Sequence, residues 1–150
     1  MFKKRLTPKV ILKEVLVLAL IFLISYIGNQ HVQSWLGQRA VNNTGFEHVS
    51  FEEALTKAQA EDKNLLIDFA AIWCPACRKL DNQVISQTEV KAEIEKNYVF
   101  TRLEYESDDR EIFERYGIQG FPTLLVVDQT GKPLRRIATT LDPEQFIEQL

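Results

Sequence analysis

The hydrophobic pattern of the chain changes character at about residue 28 and again at about residue 50. Residues 15–27 are apolar apart from Ser25 and Tyr26, and a stretch that is hydrophobic on every face predicts a helix surrounded by nonpolar material. Thirteen helical residues reach only about 20 Å, short of the roughly 30 Å hydrocarbon core of a bilayer. Val10, Ile11 and Leu12 extend the run to eighteen residues, provided that Lys13 snorkels to the interface and Glu14 does the same or is neutralised. Beyond it, residues 28–45 are rich in Asn and Gln with three glycines, which predicts a polar tether.

From residue 50 the pattern is that of a globular domain. Ser50 followed by Glu53 predicts a capped helix to about Asp62, with Phe51, Ala54, Leu55 and Ala58 on one face. Residues 65–71 are continuously apolar except for Asp68, as expected of a central strand buried on both faces. A helix is predicted from about Cys74, another over 89–96, a strand over 98–103 and a short helix over 108–116 with Gly117 just past its end. Strands follow over 123–128 and 133–138, joined by a turn at 129–132. Asp142 and Pro143 then open a last helix that runs to Leu150. This order predicts an α/β domain with a mixed sheet flanked by helices, preceded by a transmembrane helix. The expected division is therefore 1–27 as basic flank and anchor, 28–45 as tether and 46–150 as the folded domain.

Charge gives the apolar run an orientation. Residues 1–41 carry six Lys/Arg and one acid, whereas residues 42–150 carry 12 Lys/Arg and 20 Asp/Glu. Lys3, Lys4, Arg5 and Lys9 before the apolar run predict a cytoplasmic flank, with the acidic domain on the other side of the membrane. A cleavable signal peptide shares this profile and orientation, but it requires small residues two apart at the cut. No such pair occurs between Ala19 and Asn42, which favours an uncleaved anchor. The third reading is a helix buried in a soluble protein. An acidic domain without a basic face argues against nucleic acid as a partner.

The candidate chemistry lies in Trp73-Cys74-Pro75-Ala76-Cys77, where the predicted central strand gives way to a helix. A thiolate is the reactive form of cysteine, and a helix N-terminus stabilises it through unpaired N–H groups. In the first turn Cys74 can face outward and attack while Cys77 lies beneath, placed to displace the mixed disulfide that results. A zinc site would need two further ligands, and the two histidines, His31 and His48, fall in or beside the tether, where they read as solvated bystanders. The remaining alternative is an inert buried pair.

The segment from Leu66 to Cys77 resembles the active-site strand and turn of thioredoxins, and Gly117-Ile118-Gln119-Gly120-Phe121-Pro122-Thr123 resembles their cis-proline segment. Within that superfamily the chain most resembles the C-terminal, extracytoplasmic domain of the DsbD family of transmembrane disulfide reductases. The shared features are the capped helix before the strand, Ala76 between the cysteines, and Asp81 four residues after Cys77. The resemblance implies a thioredoxin-like fold and a protein thiol–disulfide oxidoreductase with no cofactor beyond its own cysteine pair and no metal. It implies that Cys74 and Cys77 are catalytic, that buried Asp68 takes the proton of the resolving thiol, and that Asp81 opposes thiolate formation and so favours a reductant. Trp73, Phe121 and Pro122 would contact substrate, Pro122 by presenting the Phe121 backbone beside Cys74. Partners would be protein disulfides and an upstream dithiol donor such as a membrane reductase, with the domain in the periplasm on a single-pass anchor in a bacterial inner membrane. The same residues would serve a disulfide oxidase or isomerase, and a non-catalytic binding module would keep the fold. Three departures from the family pattern stand out: Ile72 where an acid is common, the Pro75-Ala76 dipeptide, and Thr139 in place of a glycine.

Overall fold

A computed structural model describes residues 8–107 and 110–150. Lys3, Lys4 and Arg5, and the expected helix start at Asp108, lie outside the described residues. Helix α1 spans Pro8–Thr44, followed by α2 (Phe51–Glu61), strand β1 (Asn64–Ala70) and α3 (Pro75–Leu80), which continues into a π-helical turn, Asp81–Ile85. Then come α4 (Thr88–Asn97), β2 (Tyr98–Glu104), α5 (Arg110–Arg115), β3 (Thr123–Val127), β4 (Pro133–Ile137) and α6 (Pro143–Ile147). From residue 50 onward the element order is the expected one.

Local signals explain most of the boundaries. The Ser50 side chain accepts from the Glu53 N–H while Glu53 accepts from the Ser50 N–H, so α2 starts with both donors satisfied. Gly117 takes the left-handed conformation that closes α5, at φ 61°. Asp142 caps α6 by accepting from the N–H groups of Glu144 and Gln145.

The sheet order is β2-β1-β3-β4, with β1 parallel to β2 and antiparallel to β3, and β3 antiparallel to β4. Alternation along β1 sorts its side chains onto two faces. Leu65, Ile67 and Phe69 pack with Phe51, Ala54 and Ala58 of α2 and Ile112 and Phe113 of α5. Leu66 faces the other way, onto Leu80, Val84 and Ile85, with Val90 and Ile94 of α4 and Phe146 of α6 in the same cluster. Each large side chain fully buried in this way contributes about 1.5–3 kcal/mol.

Residues 28–45, expected to be a tether, are instead helical as far as Thr44. Their amides bond to neighbours one turn away: Gln30 donates to Tyr26, Gln33 to Asn29 and Gln38 to Asn42. The final turns of α1 are also held by tertiary contact. Gly37, Ala40, Val41 and Thr44 are buried, Asn43 donates to Asn82 at 3.0 Å, and Gln33 Oε1 accepts from Arg78 Nη1 at 2.6 Å. By contrast, the apolar residues from Val10 to Ile27 are solvent-exposed in the isolated chain. This helix is long and apolar enough to cross a membrane, a test that a signal sequence would also pass.

Candidate active site

β1, an inner strand of the sheet, ends at Ala70 and α3 begins at Pro75, so the turn between them and the first turn of α3 hold the cysteine pair at the end of the central strand. Cys74 is the N-cap of α3 and Pro75 its first residue, where a missing N–H costs nothing. The Cys74 Sγ takes the place of a capping oxygen and accepts from the Cys77 N–H at 3.1 Å. The two cysteines form a disulfide with Cα atoms 5.3 Å apart. Cys77 is fully buried and Cys74 retains 4% exposure. Cys74 is therefore the sulfur nearer to solvent, and an N–H is already aimed at it. Once the disulfide is reduced, the same N–H and the helix dipole favour its thiolate.

The surroundings of the pair are apolar. Ala70, Ala71, Cys74 and Cys77 form one cluster, against which Tyr105 and Phe121 pack. The Phe121–Pro122 peptide bond is cis. Trp73 is 48% exposed and is not a core aromatic. Its ring meets Phe121 edge-on at 6.2 Å and its indole N–H donates to the Glu106 carboxylate.

Beneath the turn lies a feature that the sequence did not disclose. Asp68 points to the same face of β1 as Leu66 and Ala70, the face covered by α3 and the π turn. Its register partner on β2 is Arg102, and register partners share a face. The Arg102 Nη1 donates to Asp68 Oδ2 at 3.0 Å and to Asp81 Oδ1 at 2.7 Å, while its Nε donates to Glu104 Oε1 at 2.7 Å. Asp68, Asp81 and Arg102 are all buried, and Glu104 keeps partial exposure. Asp81 is thus a buried member of an ionic cluster.

One guanidinium faces three carboxylates here, and the titration of the cluster follows from that imbalance. Burial, against the opposing charge of Arg102, raises the Asp68 carboxyl above its ordinary value. Burial and then the neighbouring Asp68 charge push Asp81 up to about 7. Because both carboxyls share the one Arg102 guanidinium, the charge on either opposes ionisation of the other. Three buried atoms of the cluster, Asp68 Oδ1, Arg102 Nη2 and Glu104 Oε2, have no hydrogen-bond partner among the described residues.

His48, expected to be a solvated bystander, is exposed, and it lies beside Arg102 and Glu104; desolvation followed by the Arg102 charge holds its imidazole below the ordinary value. His31 is exposed on α1. Arg102 and Glu104 are the residues that sequence reasoning missed. The available signal was a pair of charges, Arg102 and Glu104, at the end of a largely apolar strand, but the pattern could not name their partners.

A family model for the thioredoxin-like domain matches residues 51–150. Among curated proteins, the thiol:disulfide interchange protein DsbD of Yersinia pestis (strain Pestoides F) is 22% identical over 149 residues, covering 91% of this chain and 24% of that protein. The chain thus spans about a quarter of the length of that relative. Among solved structures, the C-terminal domain of Neisseria meningitidis DsbD in its oxidised form is 25% identical with a TM-score of 0.54, over 65% of this chain and 87% of that one. A disulphide isomerase from Xylella fastidiosa Temecula1 is 26% identical with a TM-score of 0.52, over 61% and 76% of the respective chains. With its Cys74–Cys77 disulfide capping a helix at the end of the central strand, this chain belongs to the thioredoxin-like domain family and is a thiol–disulfide oxidoreductase.

Proposed function

We propose that the protein is an extracytoplasmic, membrane-anchored reductase of protein disulfides, with α1 as a single-pass anchor in a bacterial inner membrane and the domain in the periplasm. The observation that carries the reductive chemistry is the Cys74 Sγ at the α3 N-cap, accepting the Cys77 N–H above a buried carboxyl cluster. In the reduced protein the Cys74 thiolate attacks one sulfur of a client disulfide, forming a mixed disulfide and releasing the client's other sulfur as a thiolate. The Cys77 thiol then gives up its proton, with Asp68 as the acceptor, and attacks the Cys74 sulfur. The Cys74–Cys77 disulfide forms, the second client sulfur leaves and takes up a proton, and two electrons have passed to the client. An upstream dithiol, such as that of a membrane reductase, returns the pair to the reduced form.

Trp73 and Phe121 form the rim that a client would meet. Pro122 presents the Phe121 backbone for pairing with an extended client segment. Asp81, with a carboxyl that ionises near neutrality, adds negative charge beneath the pair as pH rises and disfavours the thiolate, which makes the dithiol a better electron donor. The similarity to DsbD supports the same direction of electron flow.

The test is a trapping experiment joined to a potential. Cys77→Ala should accumulate mixed disulfides with clients and Cys74→Ala should accumulate none; the reverse pattern would refute the assignment. Equilibration against glutathione should give a value nearer the roughly −270 mV of thioredoxins than the roughly −120 mV of strong oxidants. A value at the oxidising end would make the protein a disulfide donor instead.

A further inference from the structure

Helix α1 is described without a break from Pro8 to Thr44, so its apolar run and its docked final turns form a single rod. The docked turns meet the redox site directly. Arg78, the residue after Cys77, donates from Nη1 to the Gln33 side chain at 2.6 Å and to the Gln33 carbonyl at 3.4 Å. Gly37 crosses the residue before Trp73 so closely that an added Cβ would lie 1.9 Å from the Ile72 carbonyl oxygen. Further down the same rod, a cleft of about 640 Å³ has Tyr26, Asn29 and Gln33 on one wall and Ile72, Trp73 and Pro75 on the other.

The heights of these groups follow from helix geometry. A span of about 20 helical residues crosses the hydrocarbon core, and counted from Val10 it ends at Asn29. Gln33 is then only about 6 Å farther along the axis. The wall opposite Asn29 contains Trp73, half exposed, beside exposed Pro75 and Ala76, and the neighbouring Ile72 carries no charge. An exposed indole on an apolar rim suits the headgroup layer, where Trp is enriched.

We infer that α1 is a docked stalk that holds the Cys74–Cys77 pair in the lipid headgroup layer, so that its partners are protein cysteine pairs presented at the membrane surface. This rests on the anchor reading proposed above and adds to it a fixed height. A flexible tether would let the domain sample a wide volume, whereas a docked rod confines the pair to one depth and excludes disulfides held far from the bilayer.

The experiment uses the full chain in phosphatidylcholine vesicles whose acyl chains carry bromine close to the headgroup. Trp35→Phe leaves Trp73 as the only indole, and the pair is kept reduced. Brominated lipid should remove a large part of the Trp73 emission, and Gly37→Ala should recover most of it while the protein stays on the vesicles. Reduction of a lipid-tethered disulfide peptide, relative to the same peptide free in solution, should fall in Gly37→Ala. Gln33→Ala, which removes the Arg78 contact without crowding, should move both readouts in the same direction by a smaller amount. A vesicle-bound protein with unquenched Trp73 would overturn the stalk and leave the anchor standing. Quenching unchanged in both variants would overturn docking as its cause. Failure of the chain to bind vesicles would remove the anchor reading and the stalk with it.

Discussion

The two faces of β1 have been used in different ways. On one, Leu65, Ile67 and Phe69 pack with apolar residues of α2 and α5, and among the described residues no charge is buried with them. On the other, Leu66 and Ala70 are apolar, but Asp68 between them is buried with Arg102 and Asp81 under the redox helix. The first face contributes stability that is insensitive to pH. The second gives up apolar burial to hold a carboxyl pair that burial keeps above the ordinary carboxylate range, Asp81 at about 7. Such a cluster is a poor source of stability, because desolvation offsets most of the Coulomb attraction.

The contrast can be broken most severely at Arg102. Arg102→Leu leaves Asp68 and Asp81 buried without their cation, at a cost on the order of 3–5 kcal/mol. The cost should be larger at pH 8 than at pH 5, where protonated carboxyls need no cation. Urea unfolding at the two pH values measures it, and equal losses would mean that the guanidinium only fills space.

Next in size is Asp68→Asn, which keeps the bulk and removes the proton acceptor. Resolution of the mixed disulfide should slow by roughly a hundredfold, at the low end of general base effects, while the unfolding transition persists. Stopped-flow turnover between pH 6 and 8 is the readout, and unchanged kinetics would make Asp68 purely structural.

Asp81 should mark the pH dependence of stability. Its carboxyl is raised from 3.8 to about 7 in the folded protein. Below pH 3.8 it is protonated in both states and imposes no penalty. As pH rises through 7, the unfolded chain has released this proton while the folded protein gives it up only at a cost, so stability is lost across that window. Asp68, raised in the same direction, adds to the slope. Asp81→Asn should flatten the dependence of unfolding free energy on pH between 4 and 7. A slope as steep as that of the wild type would assign the dependence to Asp68.

The smallest effect belongs to the apolar face. Ile67→Val should cost about 0.5–1.5 kcal/mol, equally at pH 5 and pH 8. A pH-dependent loss there would mean that the two faces are coupled.

Much of this was legible in the chain. Ser50 with Glu53, Asp142 with Pro143, and Gly117 act within a few residues, so their helix ends can be read locally. The apolar alternation of the strands and the cysteine pair at a strand–helix junction are local in the same sense. The site was legible in part, since Asp68 and Asp81 could be singled out, but not what they meet.

Two features awaited the tertiary structure, for a common reason. Arg102 joins Asp68 and Asp81 only because β1 and β2 pair in parallel in one register and the redox helix crosses that face. Any of the chain's 18 Lys and Arg residues could have been the partner as far as composition goes. The helical state of residues 28–44 is similar. The Asn and Gly residues of this segment have little intrinsic preference for helix, and its last turns are held because Ala40, Val41 and Thr44 find a surface to bury against. Local sequence determined where elements begin and which thiols react. Long-range packing determined which charges share the buried face and how the apolar helix meets the domain, because both depend on surfaces that exist only once distant segments have come together.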